Sequence, residues 1–320
     1  MKLVACLTLA IIYLFSPHIT RAVTRIDVPF IRQAPDGIWR EPWLNACEET
    51  SIAMVKNYYA GNSNFDAKTE ILRIINARKL TVGNTLDESA DTIAEIINDY
   101  APFEAEKITD PTLEQIQAEL SSGRPVIITA DGKALKNPYF LNNGPRYHAL
   151  VLTGYDEATN EFISNDPGTR RGLDFRYKYD TIMTAMRDLA PDLTSAPSVA
   201  IFTREMSAET AESDADSDGL DKQSEITTGT RLDLADSDND GYYDGAEVSN
   251  GYSPTLNESS LKTGSLIKTV ADPKIYLKSG KTKKHVTSEK AFINHGYKWK
   301  NVITVSESYI NSLTDGADIN

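Results

Sequence analysis

The sequence predicts an α+β protein, and three observations carry that reading. Residues 45–123 hold apolar side chains at helical spacing, residues 125–203 switch to short β-like runs, and charge is divided unevenly along the chain. Helices first and an antiparallel sheet after them is the α+β arrangement. With 320 residues, 40% hydrophobic and 25% charged, the chain can bury a core and has room for about two domains.

The net charge of −13, from 33 basic and 46 acidic residues, argues against a nucleic-acid partner. Residues 205–258 carry 15 acidic and 2 basic side chains, whereas residues 259–320 carry 10 lysines and 5 acids. These shifts predict a first folded unit over 23–206, an acidic repetitive segment over 207–258 and a small β-rich domain of unknown role over 259–320.

The chain opens on Met1-Lys2 and an apolar run of 13 residues, Leu3 to Phe15, broken by Ser16 and Pro17. Thr20-Arg21-Ala22 offers a small-residue cleavage site, so residues 1–22 read as a secretory signal peptide. The apolar run falls short of the roughly 20 residues needed to span a bilayer. An extracellular or cell-surface location follows, with no membrane span after the signal is removed. Cys6 leaves with it, and Cys47 remains as the single thiol of the exported chain.

A strand is expected over Arg25 to Ile31, followed by a loop with Pro35, Gly37 and Pro42. Ile52, Met54, Val55, Tyr58 and Tyr59 predict a helix from Cys47 to Tyr59, with Asn45 as its N-cap and Glu48 and Glu49 in its first turn. A second helix is expected over Leu86 to Tyr100. A third starts at Asp110-Pro111, turns Leu113, Ile116 and Leu120 inward and stops at Gly123. Strands follow at Pro125–Thr129, His148–Gly154, Glu161–Ser164 and Val199–Thr203, with a helix near Tyr179–Leu189. Beyond residue 259, Lys274–Leu277 and Val302–Val305 are β-like.

A reactive thiolate needs a lowered pKa, an imidazole partner and a group to orient that imidazole. Cys47 falls in a first helical turn, where the macrodipole favours negative charge. Of four histidines, His18 lies in the signal and His285 and His295 in the tail, which leaves His148 for residues 23–204. Asp166, at the end of the next strand, is suited to hold a ring nitrogen. A buried lone cysteine acting as a small hydrophobe is the other reading of Cys47.

Gln33-Ala34-Pro35, Cys47-Glu48-Glu49-Thr50-Ser51-Ile52-Ala53-Met54-Val55 with Tyr58-Tyr59, His148-Ala149-Leu150-Val151-Leu152-Thr153-Gly154, and Asn165-Asp166-Pro167-Gly168-Thr169 occur in that order. Over residues 26–205 this pattern resembles papain-like cysteine peptidases of the double-glycine, bacteriocin-processing type, in their stand-alone exported branch. The resemblance implies a papain-like fold and a Cys47–His148–Asp166 triad acting on peptide or protein substrates. It also implies that Gln33 is the oxyanion donor, a role whose loss typically costs about 10²–10³ in rate. Glu48 stands where many members have glycine, and Gln33 lies 14 residues before the cysteine.

The acidic segment carries a second signal. Asp214, Asp216 and Asp218 with Gly219 open a loop that closes at Glu225. Asp236, Asp238 and Asp240 with Gly241 open another that closes at Glu247. Carboxylates at positions one, three and five, glycine at six and glutamate at twelve make a calcium loop, since calcium prefers oxygen ligands. The ten residues between Glu225 and Asp236 are too few for the helices of paired EF-hands. The segment resembles thrombospondin type 3 repeats, with the dockerin type as the alternative. That resemblance adds Asp244 to the ligands, at the position where the first repeat has Lys222. Calcium is thus expected as a structural cofactor. The lysine-rich tail could meet anionic cell-wall polymer. The alternatives to peptide-bond hydrolysis are a thiol-dependent amidase on cell-wall peptides and an inactive extracellular binding module.

Overall fold

The computed structural model describes residues 23–320 apart from residue 84, so the expected signal peptide lies outside the described residues. Strand β1 (Val23–Arg25) leads through coil into helices α1 (Cys47–Tyr59), α2 (Ala67–Val82) and α3 (Ala90–Tyr100). Strand β2 (Phe103–Thr109), helix α4 (Leu113–Ser121) and strands β3 (Val126–Asp131), β4 (Tyr147–Asp156), β5 (Glu161–Asn165) and β6 (Phe175–Lys178) follow. Helix α5 (Tyr179–Ala185) and strand β7 (Val199–Glu205) complete this part.

The strands form one antiparallel sheet in the order β2-β7-β3-β4-β5-β6, with β1 added to the far end of β4. Ile127 lies opposite Val151 and Ala130 opposite His148, which fixes the register of the central pair. Beneath α1, Ile52, Met54 and Val55 are buried with Ile127, Ile128, Leu150 and Leu152 in a single core. Because β3 and β4 are buried on both faces, each holds an apolar run that does not alternate, Val126-Ile127-Ile128 and Ala149-Leu150-Val151-Leu152. Gly154 is required where β1 crosses β4, since a Cβ there would lie 2.1 Å from the Thr24 carbonyl oxygen.

Several expectations are corrected. The first strand covers Val23–Arg25 and not Arg25–Ile31; Ile26, Val28 and Ile31 are buried by a coil segment instead. Helix α2 and strands β2 and β6 were not anticipated. Helix α3 begins at Ala90, where the Ser89 hydroxyl accepts the Thr92 amide, and not at Leu86. Helix α4 starts after a Thr112–Gln115 capping box, worth about 1 kcal/mol, and not at Asp110-Pro111. Helix α5 stops at Ala185, short of Leu189.

Further along stand α6 (Ala208–Ala211), α7 (Lys222–Thr228) and α8 (Asp244–Asn250). Strands β8 (Leu266–Lys268), β9 (Tyr276–Ser279) and β10 (Thr282–His285) come next, then α9 (Glu289–Asn294), β11 (Val302–Thr304), α10 (Glu307–Ser312) and β12 (Thr314–Asp315). These strands form a second sheet in the order β11-β8-β9-β10-β12, with Phe292 stacked on Trp299 at 4.3 Å. Among the described residues, no helix is long and apolar enough to cross a membrane.

Candidate active site and acidic loops

Cys47 is the first residue of α1. The residue before it is Ala46, not Asn45, and no side chain caps the helix; the Asn45 amide instead donates to Glu41 at 2.6 Å. The first amides of α1 therefore lack an intrahelical partner beside the sulfur. A cleft of about 700 Å³ opens there, with Gln33, Cys47, Tyr147, His148 and Gly168 in its walls.

His148 is mounted near the start of β4 and is buried. Its Nε2 lies 2.8 Å from Asp166 Oδ1, and Phe140 packs edge-on to the ring at 5.1 Å. That bond engages one ring nitrogen and leaves Nδ1 for another partner. Asp166 follows β5 and is fully buried. Its Oδ1 also accepts the Gly168 amide at 2.9 Å, while Oδ2 accepts Tyr177 Oη at 2.6 Å and Asn137 Nδ2 at 3.0 Å. Burial opposes the charge on Asp166. The facing imidazole, Tyr177 and the Gly168 amide outweigh it and hold the carboxyl below the usual carboxylate range. Gly168 lies directly against the imidazole, where a Cβ would be 2.8 Å from His148 Cε1.

The thiol itself departs from expectation. Cys47 Sγ donates to Glu48 Oε2 at 3.0 Å inside the protein, and Glu48 is its hydrogen-bond acceptor among the described residues. Burial, then the Glu48 carboxylate, push the thiol well above its ordinary value, against a smaller lowering from the Ala149 amide. Burial and Glu48 thus outweigh the helix macrodipole at the sulfur.

Glu48 belongs to a buried group with Glu49 and Glu88, whose carboxylate oxygens lie within 4.8 Å of one another. Arg78 pairs with Glu49 at 2.6 Å and reaches Glu88 at 3.5 Å. One cation among three carboxylates leaves surplus negative charge. Burial and Glu88 accordingly push Glu49 up to about 8, and burial and Glu49 raise Glu48 well above its ordinary value.

Gln33 lines the cleft, but both hydrogens of its amide face loop carbonyls, Trp43 O and Leu44 O, each at 3.1 Å. Its Oε1 is buried without a partner among the described residues, and its backbone N–H donates to Pro167 O at 3.1 Å. Sequence reasoning did not identify Asn137, Tyr177 and Gly168 around Asp166, or Arg78 and Glu88 around Glu48. The alternation Phe175-Arg176-Tyr177-Lys178 would have placed Tyr177 on a strand, though not on Asp166.

The two acidic loops are geometric twins 22 residues apart. Ser217 and Asn239 have φ of 64° and 58°, and Gly219 and Gly241 have φ of 101° and 100°, where glycine carries no steric penalty. Asp214 Oδ2 accepts the Gly219 amide at 3.1 Å, as Asp236 Oδ2 accepts the Gly241 amide at 2.8 Å. Each loop runs into a seven-residue helix, α7 with Glu225 and α8 with Glu247. The first three aspartates of each loop converge within 4.8 Å.

Several of these acids carry oxygens with no hydrogen-bond partner among the described residues. Both carboxylate oxygens of Glu225 and of Asp238, with Asp216 Oδ2 and Glu247 Oε2, are buried and unpartnered among the described residues. Burial and neighbouring aspartates push Glu225 and Glu247 up to about 8, and Asp238 up to about 6. Crowded acids with orphaned oxygens suit a hard cation. Asp244 is already engaged, accepting the Ser237 amide at 2.9 Å and its hydroxyl at 2.5 Å. Lys222, at the matching place in the first loop, turns away and donates to the Asn98 carbonyl of α3.

An α+β fold with a cysteine at a helix start, and a histidine bonded to an aspartate beside the same cleft, is the layout of papain-like cysteine peptidases. The Peptidase_C39 like family matches residues 25–189, more than half of the chain, and the chain belongs to that family. No curated protein matches it. Solved structures that match include a Bacillus anthracis protein described as a C39-like peptidase, at 20% identity and a TM-score of 0.41, covering 58% of this chain and 99% of that one. The UfSP of C. elegans matches at 16% identity and a TM-score of 0.33, over 59% of this chain and 35% of that one, so this chain spans about a third of its length.

Proposed function

We propose that the chain is an exported cysteine peptidase that hydrolyses peptide bonds through Cys47, His148 and Asp166. The observation that carries this reading is the buried 2.8 Å bond between His148 Nε2 and Asp166, which leaves Nδ1 for a sulfur lining the same cleft. Cys47 turns from Glu48 to His148, gives its proton to Nδ1 and attacks the scissile carbonyl. His148 returns that proton to the departing amine, leaving a thioester on Cys47. Water then cleaves the thioester, with His148 taking one proton and returning it to the sulfur. Asp166 orients the ring and offsets its positive charge throughout.

The amides at the start of α1, which have no intrahelical partner, would face the developing oxyanion. Gln33 joins them only after releasing one of its two loop carbonyls. In the acidic loops, Asp214, Asp216, Asp218 and Glu225, with Asp236, Asp238, Asp240, Asp244 and Glu247, would hold calcium in thrombospondin type 3-like repeats. There the metal supplies charge neutralisation and stiffness, with no part in the reaction. Export rests on the signal-like residues 1–22, and contact with wall polymer on the lysines beyond residue 259.

The test is the reactivity of Cys47 as a function of pH, with and without His148. An amidase on cell-wall peptides would use the same three residues, and products from peptides and from peptidoglycan separate the two.

A further inference from the structure

The cleft beside Cys47 is basic in a chain that is acidic overall. Its walls hold Arg32, Arg170 and Arg171 against one carboxylate, Asp87, whereas the whole chain has 46 acidic and 33 basic residues. The three arginines share one side of the cleft. The 3.1 Å bond from Gln33 N to Pro167 O ties the Arg32 segment to the loop that carries Arg170 and Arg171, and Gly168 in that loop packs against His148. Asp87 comes from the α2–α3 connection, next to the buried Glu88.

Two of these guanidinium groups are held in place by contacts that leave their charge uncompensated. Arg32 Nη2 donates to Pro35 O at 3.2 Å, and the Arg171 guanidinium lies 4.6 Å from the centre of the Tyr139 ring, itself edge-on to Phe175 at 6.1 Å. Among the described residues none of the three has a carboxylate within ion-pair reach, unlike Arg25, Arg124, Arg176 and Arg204 elsewhere. A guanidinium lying on an aromatic face keeps its in-plane N–H edge free, and that edge matches a carboxylate bidentately.

We infer that Arg32, Arg170 and Arg171 form a carboxylate-binding subsite, so that the cleft prefers peptides presenting an acidic side chain or a chain-end carboxylate on the His148 side of Cys47. This rests on the peptidase reading only for what happens after binding. Lys222, the acidic loops and the second sheet play no part in it.

The test uses the full chain carrying Cys47→Ala and fluorescein-labelled peptides blocked at both ends. They are identical except for Glu, Gln or Lys at one position, which is moved along the sequence. A further Gln peptide with a free C-terminal carboxylate separates a chain end from a side chain as the source. At one or more positions the Glu peptide, or the free-carboxylate peptide, binds about tenfold more tightly than the blocked Gln peptide. The Lys peptide binds most weakly, and added salt shrinks the differences. The double change Arg170→Ala and Arg171→Ala removes the preference. Equal affinity for Glu, Gln and free-carboxylate peptides at every position, or no binding of any peptide, overturns the inference. Turnover of the same peptides by the unmodified chain tells the two readings apart. Hydrolysis without a carboxylate preference overturns the subsite alone, and carboxylate-selective binding without hydrolysis overturns the peptidase reading alone.

Discussion

The Cys47 thiol donates to the Glu48 carboxylate at 3.0 Å, with both groups inside the protein. Burial and Glu49 hold Glu48 toward its protonated form, and ionising the sulfur beside it would add negative charge to the same buried acidic group, so Glu48 acts as a brake on the nucleophile in the resting chain. Replacing it by an isosteric neutral amide removes the ionisable carboxyl while keeping the volume. Glu48→Gln is expected to raise the iodoacetamide reaction rate of Cys47 at neutral pH by about tenfold, equivalent to about one unit in thiol pKa. An unchanged or slower rate contradicts the brake.

Gly168 allows the imidazole its position. A Cβ added there would lie 2.8 Å from His148 Cε1, 3.1 Å from Nε2 and 3.0 Å from Phe140 Cε1. Gly168→Ala must therefore displace the ring from Asp166. Misplacement of a reacting group by about 1 Å can cost about 10²-fold in rate. Peptide turnover is expected to fall by that order while thermal unfolding shifts by only a few degrees.

Asp166 links the site to acid stability. Its folded pKa is depressed, so its contribution is present above the unfolded value of about 3.9 and is lost as pH falls through the lower, folded value. Tyr177→Phe removes the 2.6 Å donor to Oδ2. The folded pKa then moves back toward the ordinary value. Loss of a hydrogen bond to a charged group costs about 1.5–3 kcal/mol at neutral pH. Urea unfolding of the two proteins is expected to show that gap near neutrality and a smaller one at acid pH.

The legibility of these features in the sequence follows their range. Helix α1 was readable because Ile52, Met54, Val55 and Tyr59 repeat at helical spacing, and β4 because Ala149-Leu150-Val151-Leu152 is an unbroken apolar run. Helix α2 was missed because lysines and arginines interrupt its stripe, although Asp66 accepts the Thr69 amide as an N-cap. Strand β2 alternates only over Phe103-Glu104-Ala105-Glu106 before Lys107 breaks the pattern, and β6 has only four residues. Asn137 and Tyr177 meet at Asp166 only because the sheet brings a loop and β6 together, which no local pattern records. The Glu48–Cys47 bond and the engaged amide of Gln33 likewise depend on burial and loop closure.

The orphaned oxygens of Glu225, Asp238 and Glu247 predict a cation-dependent segment. Adding calcium is expected to raise the thermal midpoint of the full chain and change its circular dichroism, and a chelator to reverse both. Occupancy at 100 times the dissociation constant stabilises by about 2.7 kcal/mol. Glu225→Gln with Glu247→Gln should abolish the response. A midpoint and spectrum indifferent to calcium and chelator contradict the metal reading.

The central claim is that His148 ionises Cys47 when the sulfur leaves Glu48. Its most direct test is the rate of iodoacetamide labelling of Cys47 from about pH 5 to about pH 10, in the natural chain and in His148→Ala. The natural chain is expected to show a labelling limb below the ordinary thiol value of about 8.5 that disappears in His148→Ala, leaving the slow titration of a buried thiol. Superimposable profiles for the two proteins would contradict it.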